Sequence, residues 1–326
     1  LQPAAFSRYQ FASMSTAYPQ SGILLPPPPA ARHLEFTLRA GTTRAEAEAA
    51  LKRLAASDAA PDGTATVAGI GLPLAELLAL RVPGLRGFPD LTGAAASIPA
   101  TQRALWIWTR GEDRGELLHR SRAIEAALAP AFGIASVVDS FLYDGGRDLT
   151  GYEDGTENPK GEEATEAAIV GDDARLAPAG SSFVAVQIWQ HDLARFAAMD
   201  KQQQDFTFGR ERIGNEELAD APESAHVKRT AQESFDPTAF VVRRSMPWSD
   251  ATRAGLVFVS FGASLDAYER QLRRMAGLDD GIVDGLFSFT TPLSGSYYWC
   301  PPVIRGRVMI EGVADALGIA LREVGE

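Results

Sequence analysis

"HLEFTLRAGTTRAEAEAALKRL", residues 33–54, places a strand and a helix back to back. Apolar and polar residues alternate from His33 to Arg39, the period of two that lays one face of a strand on a core. Thr43 and Glu46 have the spacing of a capping box, in which two free backbone N–H groups of a first helical turn are satisfied reciprocally. Ala47, Ala50, Leu51 and Leu54 then recur on one helical face. Working outward, strands are predicted at 64–70, 105–109 and 134–143 and a helix at 116–128, with a less regular stretch between 72 and 102. The order is βαββαβ.

After a loop at 144–180 the pattern starts afresh. A strand "SSFVAVQIW" (181–189) is followed by a helix from His191 and by strands "AFVVRR" (239–244) and "GLVFVSF" (255–261). A helix from Ser264 to Met275 and a strand "GLFSFTT" (285–291) complete the second copy. Strands and helices alternate without the regular short βα units of a parallel sheet, so the expected fold is α+β, with two tandem ferredoxin-like halves packed together. The boundary is expected at 150/151, giving halves 14–150 and 151–326. Residues 1–13, ahead of Met14, read as a leader outside the fold. Four prolines, Pro26–Pro29, predict an extended arm on the surface or against a neighbouring subunit.

The 326 residues are 45% hydrophobic, enough to fill a substantial core. A formal net charge of −11 argues against a nucleic-acid surface, which shows as a basic patch. One cysteine, Cys300, leaves no disulfide framework and no CxxC motif. No apolar run is long enough to span a bilayer and no secretory signal pattern is present, so a cytoplasmic location is expected. Phosphate-binding loops, a complete GxGxxG, a GxSxG elbow, an HExxH helix and an EF-hand are all missing.

Two features stand apart. "GYEDGTENP" (151–159) packs two glycines, three carboxylates, an amide and a proline into nine residues, a composition that bends a chain sharply. Among four histidines, His33, His119 and His191 fall on or beside regular elements, where a solvated or core-satisfied imidazole is the ordinary outcome. His226, in "ESAHVKRT" (223–230), lies in a long insertion at about 200–236, outside any amphipathic period, and "RRSMPW" (243–248) follows it.

The ordered set "GYEDGTENP", "GSSFVAVQIWQHDLARF", "GRERIGNEEL", "ESAHVKRT", "VVRRSMPW" and "GLVFVSFGASLDAYERQLRRMAG" resembles the dye-decolorizing peroxidases, haem enzymes of the dimeric α+β barrel type. The resemblance runs from Met14 to about Pro302 and is greatest to the compact bacterial subfamily called class B. It implies haem b (iron protoporphyrin IX) in the second half, with His226 as the axial ligand to iron. It further implies that Asp154 and Arg243 stand over the other face, where a carboxylate moves a proton and a guanidinium stabilises developing negative charge. Strand alternation sends Arg243 and Ser245 to one side and Arg244 to the other. Ser245 is expected to hold water or peroxide, or else to bond to backbone.

Gly151 and Gly155 would let the loop bend and approach the porphyrin, with Thr156 also against the cofactor. Asp284, in "GIVDG", is a candidate carboxylate for the second nitrogen of His226, or a turn residue. Met246, Phe258 and Phe261 are candidate pocket residues that read equally well as core. Trp189, Trp248, Tyr297, Tyr298 and Trp299 are packing residues or carriers of electrons from bulky surface substrates.

The implied activity is reduction of hydrogen peroxide through a ferryl porphyrin radical, with aromatic dyes, phenols and manganous ion as reductants. A haem-handling protein that releases or delivers iron or porphyrin is the alternative, and a haem-free binding protein a third. Partners are expected to be small molecules and further copies of the chain in a dimer or larger homo-oligomer, without nucleic acid or membrane. Some relatives ride in encapsulin shells by a tail rich in Gly, Leu and Ser, which "LGIALREVGE" (317–326) does not resemble.

Overall fold

Strand β1 (Ala30–Leu38) turns Leu34 and Phe36 toward the helices and Ala31 and His33 to its opposite face, as alternation requires. Helix α1 (Arg44–Ala55) starts at the anticipated box: Thr43 accepts from the Glu46 N–H, and the Glu46 carboxylate accepts from the Thr43 N–H at 2.8 Å. β2 (Thr66–Gly71), β3 (Leu105–Gly111), α2 (Arg114–Leu128) and β4 (Phe132–Phe141) complete the first half. Its four strands lie in the order β2-β3-β1-β4, all antiparallel, with α1 and α2 on one face. That is the ferredoxin-like arrangement. The computed structural model describes residues 17–91, 96–172 and 177–311; the leader 1–13, Met14 and "LGIALREVGE" lie outside the described residues.

The second half repeats this order with two of its strands broken. β5 (Ser182–His191) pairs with β8 (Ala254–Gly262) along nearly its whole length. The far edge of β8 takes β6 (Val242–Arg243) and β7 (Met246–Ser249), and the far edge of β5 takes β9 (Thr290–Pro292) and β10 (Ser296–Cys300). The "GLFSFTT" expectation is corrected here. Gly285–Ser288 forms a 3₁₀ turn, only Thr290–Pro292 pairs, and Ser296–Cys300 supplies the main edge strand. An apolar run alone does not separate a strand from a half-buried turn.

The two sheets join edge to edge, β2 to β10 and β4 to β7, so that eight strands close a barrel. Inside lie Trp106, Trp108, Val184, Val257, Phe261 and Tyr298; outside, a larger core packs under α1, α2 and α4 (Asp266–Met275). Closure removes the unpaired edges that an open sheet exposes.

The proline arm keeps to the surface of its own chain: Pro26 and Pro29 are exposed, Pro27 and Pro28 half-buried, and no helix or strand includes them. The segment from Ala17 lies against the chain's own barrel, where the buried Gln20 amide donates to Ala68 O and Pro301 O and accepts from Ala68 N–H. Arg110 donates to Pro26 O, and Arg244 to Ile23 O and Leu24 O. No helix among the described residues is long and apolar enough to cross a membrane.

Candidate functional site

A cleft with about 1540 Å³ of atom-free space, open to solvent, lies between the outer face of the second sheet and the segments that cross it. β8 explains its floor. Leu256 and Phe258 are half-buried and line the cleft, whereas Val257, Val259 and Phe261 are fully buried in the barrel. Phe258 and Phe261 are three residues apart, and a period of two puts them on opposite faces. The placement of Phe261 in the pocket is therefore corrected to the barrel interior, and Met246, buried in the same interior, is corrected with it.

His226 opens a single helical turn, α3 (His226–Arg229), and lines the cleft. Its Nδ1 lies 2.7 Å from Asp284 Oδ2, and the Asp284 side chain is 0% exposed. The other oxygen of Asp284 accepts from the Leu286 N–H at 2.9 Å, and its own N–H donates to Met275 O at 2.8 Å. Gly285 N–H donates to Ser224 O at 2.7 Å, stitching the His226 segment to the Asp284 segment. Asp284 is thus both turn residue and partner of the imidazole. With Nδ1 engaged, Nε2 is the nitrogen left for a ligand, and it has no partner among the described residues.

The loop 147–158 forms another wall. Its turns need positive φ at Gly151 (+86°) and Gly155 (+84°), which glycine adopts without strain. Neither glycine lines the cleft: a Cβ on Gly151 would meet Arg212, and one on Gly155 would meet Asn158 at 2.7 Å. Their close approach is to their own chain. Asp154 and Thr156, beside them, do line the cleft, and the Asp154 carboxylate stands 3.9 Å from Nε of Arg243. Arg243 leaves β6 on the cleft side and Arg244 on the other, where backbone carbonyls occupy its guanidinium. Ser245 lies away from the cleft lining and accepts from Val259 N–H at 3.4 Å.

Asp148 and His191 carry a further contact that spacing did not reveal. The nearly buried imidazole reaches Asp148 Oδ1 at 3.0 Å and Thr290 Oγ1 at 2.7 Å, tying the loop to β5 and β9. Burial works to raise the Asp148 carboxyl, but the bonds to His191 and Thr150 hold it below its ordinary range. Tyr152 stacks on Phe208 with ring centres 3.9 Å apart and donates to Asp205 at 2.5 Å. Of the candidate electron carriers, Trp189 lines the cleft; Tyr297, Tyr298 and Trp299 are wholly buried and Trp248 nearly so.

The residues fit a haem. No group of three or more metal-ligating side chains exists among the described residues, so an ion held by protein alone has no cage; a porphyrin needs from the protein one oriented nitrogen and an apolar slot. His226 offers the first, and Leu256, Phe258, Leu272, Met275, Leu286 and Phe289 the second. Gln187 lines the same cleft with a buried amide nitrogen that has no partner among the described residues.

The family model "Dyp-type peroxidase, C-terminal" matches residues 145–305, the span that contains every one of these residues. A dye-decolorizing peroxidase of Brevibacterium linens is 30% identical over 311 residues, covering 88% of this chain and 83% of its own. Among solved structures, a dye-decolorizing protein from V. cholerae superposes with a TM-score of 0.77 at 26% identity, covering 92% of this chain and 99% of its own. A variant of DypB from Rhodococcus jostii RHA1, in complex with heme, superposes with a TM-score of 0.77 at 26% identity, covering 86% and 94%. Sequence, fold and cleft together make this chain a member of the dye-decolorizing peroxidase family, and an enzyme of the peroxidase class.

Proposed function

We propose that the cleft binds haem b with His226 Nε2 on the iron and carries out peroxide-driven oxidation of aromatic dyes, phenols and similar one-electron donors. The pairing of Asp154 with Arg243, at 3.9 Å in the cleft that also holds the His226–Asp284 pair, is the observation that carries this reading. When bound, the haem supplies the two-electron reduction of hydrogen peroxide and holds the resulting oxidising equivalents for two one-electron donors.

The protein's own groups manage protons and charge. Asp284 accepts from His226 Nδ1–H and fixes the direction of the ring, leaving Nε2 as the nitrogen offered to a ligand. Asp154 takes a proton from one peroxide oxygen and returns it to the other, so that the O–O bond breaks with release of water. Arg243 stabilises the negative charge that gathers on the departing oxygen. A haem-handling protein needs His226 but gains nothing from an acid and a guanidinium held together, so the pair favours peroxidase chemistry.

Stopped-flow absorbance of the haem-loaded protein after one equivalent of hydrogen peroxide tests the roles. Asp154→Asn and Arg243→Leu should each slow the first spectral change by about 10²- to 10⁴-fold. Unchanged rates in both variants would remove the proposed chemistry.

A further inference from the structure

β6 is two residues long, and its edge away from β8 faces the loop that carries Asp154. Side-chain amides, rather than a strand, satisfy that edge. Arg243 N–H donates to Asn158 Oδ1 at 2.8 Å, and Asn158 Nδ2 donates to Arg243 O at 3.0 Å. Reversing the carboxamide would set donor against donor and acceptor against acceptor, so both bonds define one orientation. Two residues earlier, Val241 N–H donates to Gln232 Oε1 at 2.9 Å, and Gln232 Nε2 donates to Glu157 O at 2.7 Å. Adjacent loop residues are therefore fastened, Glu157 through Gln232 to Val241 just before β6 and Asn158 directly to Arg243 within it.

Gly155 belongs to the same device. Its absent Cβ leaves the space in which Asn158 Nδ2 lies, and its carbonyl accepts from the Asn158 N–H at 3.0 Å. Asp154 sits one residue before that glycine, while the Arg243 side chain leaves the backbone that Asn158 grips. The separation of carboxylate and guanidinium is thereby set through a backbone splice and not by their own contact, which at 3.9 Å is too long for a hydrogen bond.

We propose that Asn158, assisted by Gln232, is a positioning residue for the peroxide reaction, its carboxamide splicing the Asp154 loop to the Arg243 strand and fixing their register. The role rests on the reading of Asp154 and Arg243 given above. Such a residue acts on rate through geometry, where a misplacement near 1 Å costs up to about 10²-fold.

Amide hydrogen exchange on the haem-free protein provides a readout independent of turnover. Asn158→Ala should speed exchange at the Arg243 amide by about tenfold and leave the other strands of the barrel unchanged. In the haem-loaded protein it should lower kcat by about 10- to 100-fold with KM for the reducing dye within about twofold. The double variant Asn158→Ala/Arg243→Leu should be no slower than Arg243→Leu alone. Asn158→Asp, which keeps the shape and the acceptor but loses the donor, should retain slow exchange at Arg243 and fall between wild type and Asn158→Ala in kcat. Unchanged exchange at Arg243, or losses that multiply in the double variant, would overturn the proposal. Faster exchange in Asn158→Ala alongside full turnover in Arg243→Leu would leave the splice standing and retire the catalytic role of Arg243 instead.

Discussion

The two faces of β8 differ in kind, and the difference is where the chemistry lies. Outward, Leu256 and Phe258 are half-buried and meet a cleft walled by segments that carry polar side chains. Inward, Val257, Val259 and Phe261 are sealed among Trp106, Trp108 and Tyr298. Polar groups follow the same division. His33 in the barrel is buried beside the rings of Trp106 and Trp108, and burial drives its imidazole down to about 3, so it stays neutral. His226 in the cleft has a buried carboxylate on one nitrogen and leaves the other for a ligand. Arg243 and Arg244, one residue apart, repeat the contrast: one faces an acid across the cleft, the other is spent on backbone carbonyls.

The arginine pair gives the largest expected separation. Arg243→Leu should lower kcat/KM for hydrogen peroxide by about 10²- to 10³-fold with little change in stability. Arg244→Leu should leave kcat/KM within about threefold, yet lower stability by about 1–3 kcal/mol, because Ile23 O and Leu24 O lose their donor. Steady-state kinetics and urea unfolding of both variants check this, and equal kinetic losses would erase the distinction between the faces.

Phe261 and Phe258, on opposite faces of β8, should differ by less. Phe261→Ala opens a void in the closed interior and should cost about 3–5 kcal/mol of stability, with turnover of the folded protein nearly intact. Phe258→Ala should cost less than about half of that in the haem-free protein and weaken haem retention, seen as a faster loss of haem to a scavenging apoprotein.

Glu35 offers the smallest test. It lies in the barrel at 4% exposure, accepting from Tyr298 Oη at 2.6 Å, and burial raises its carboxyl above the ordinary value despite that bond. A carboxyl raised in the folded state contributes stability that is full below the unfolded pKa and is lost as pH rises through the folded pKa. Urea midpoints between about pH 4 and 8 should therefore fall with rising pH in the wild type and fall less in Glu35→Gln. Parallel curves would show that Glu35 does not titrate in that window.

Much of this was legible in the chain. Alternation and the Thr43/Glu46 box set the first strand and helix to within a few residues, and the recurrence of βαββαβ gave two ferredoxin-like halves. The motifs around Asp154, His226 and Arg243 pointed to three side chains that line one cleft. What stayed hidden depended on contacts between distant segments. The partnership of Asp148 with His191 spans 43 residues and left no local pattern, and the splice of Asn158 onto Arg243 spans 85. Phe261 is different, because the parity of β8 was available and simply excludes placing it beside Phe258. The "GLFSFTT" run misled since its apolar residues serve a half-buried turn after Asp284, beside the cleft.

Whether His226 holds the iron is read from the absorbance spectrum of haem-loaded His226→Ala. The assignment of His226 to the iron requires a weakened or shifted Soret band that added imidazole restores toward the wild-type position. A spectrum identical to the wild type, unaffected by imidazole, would place another residue on the iron and contradict it.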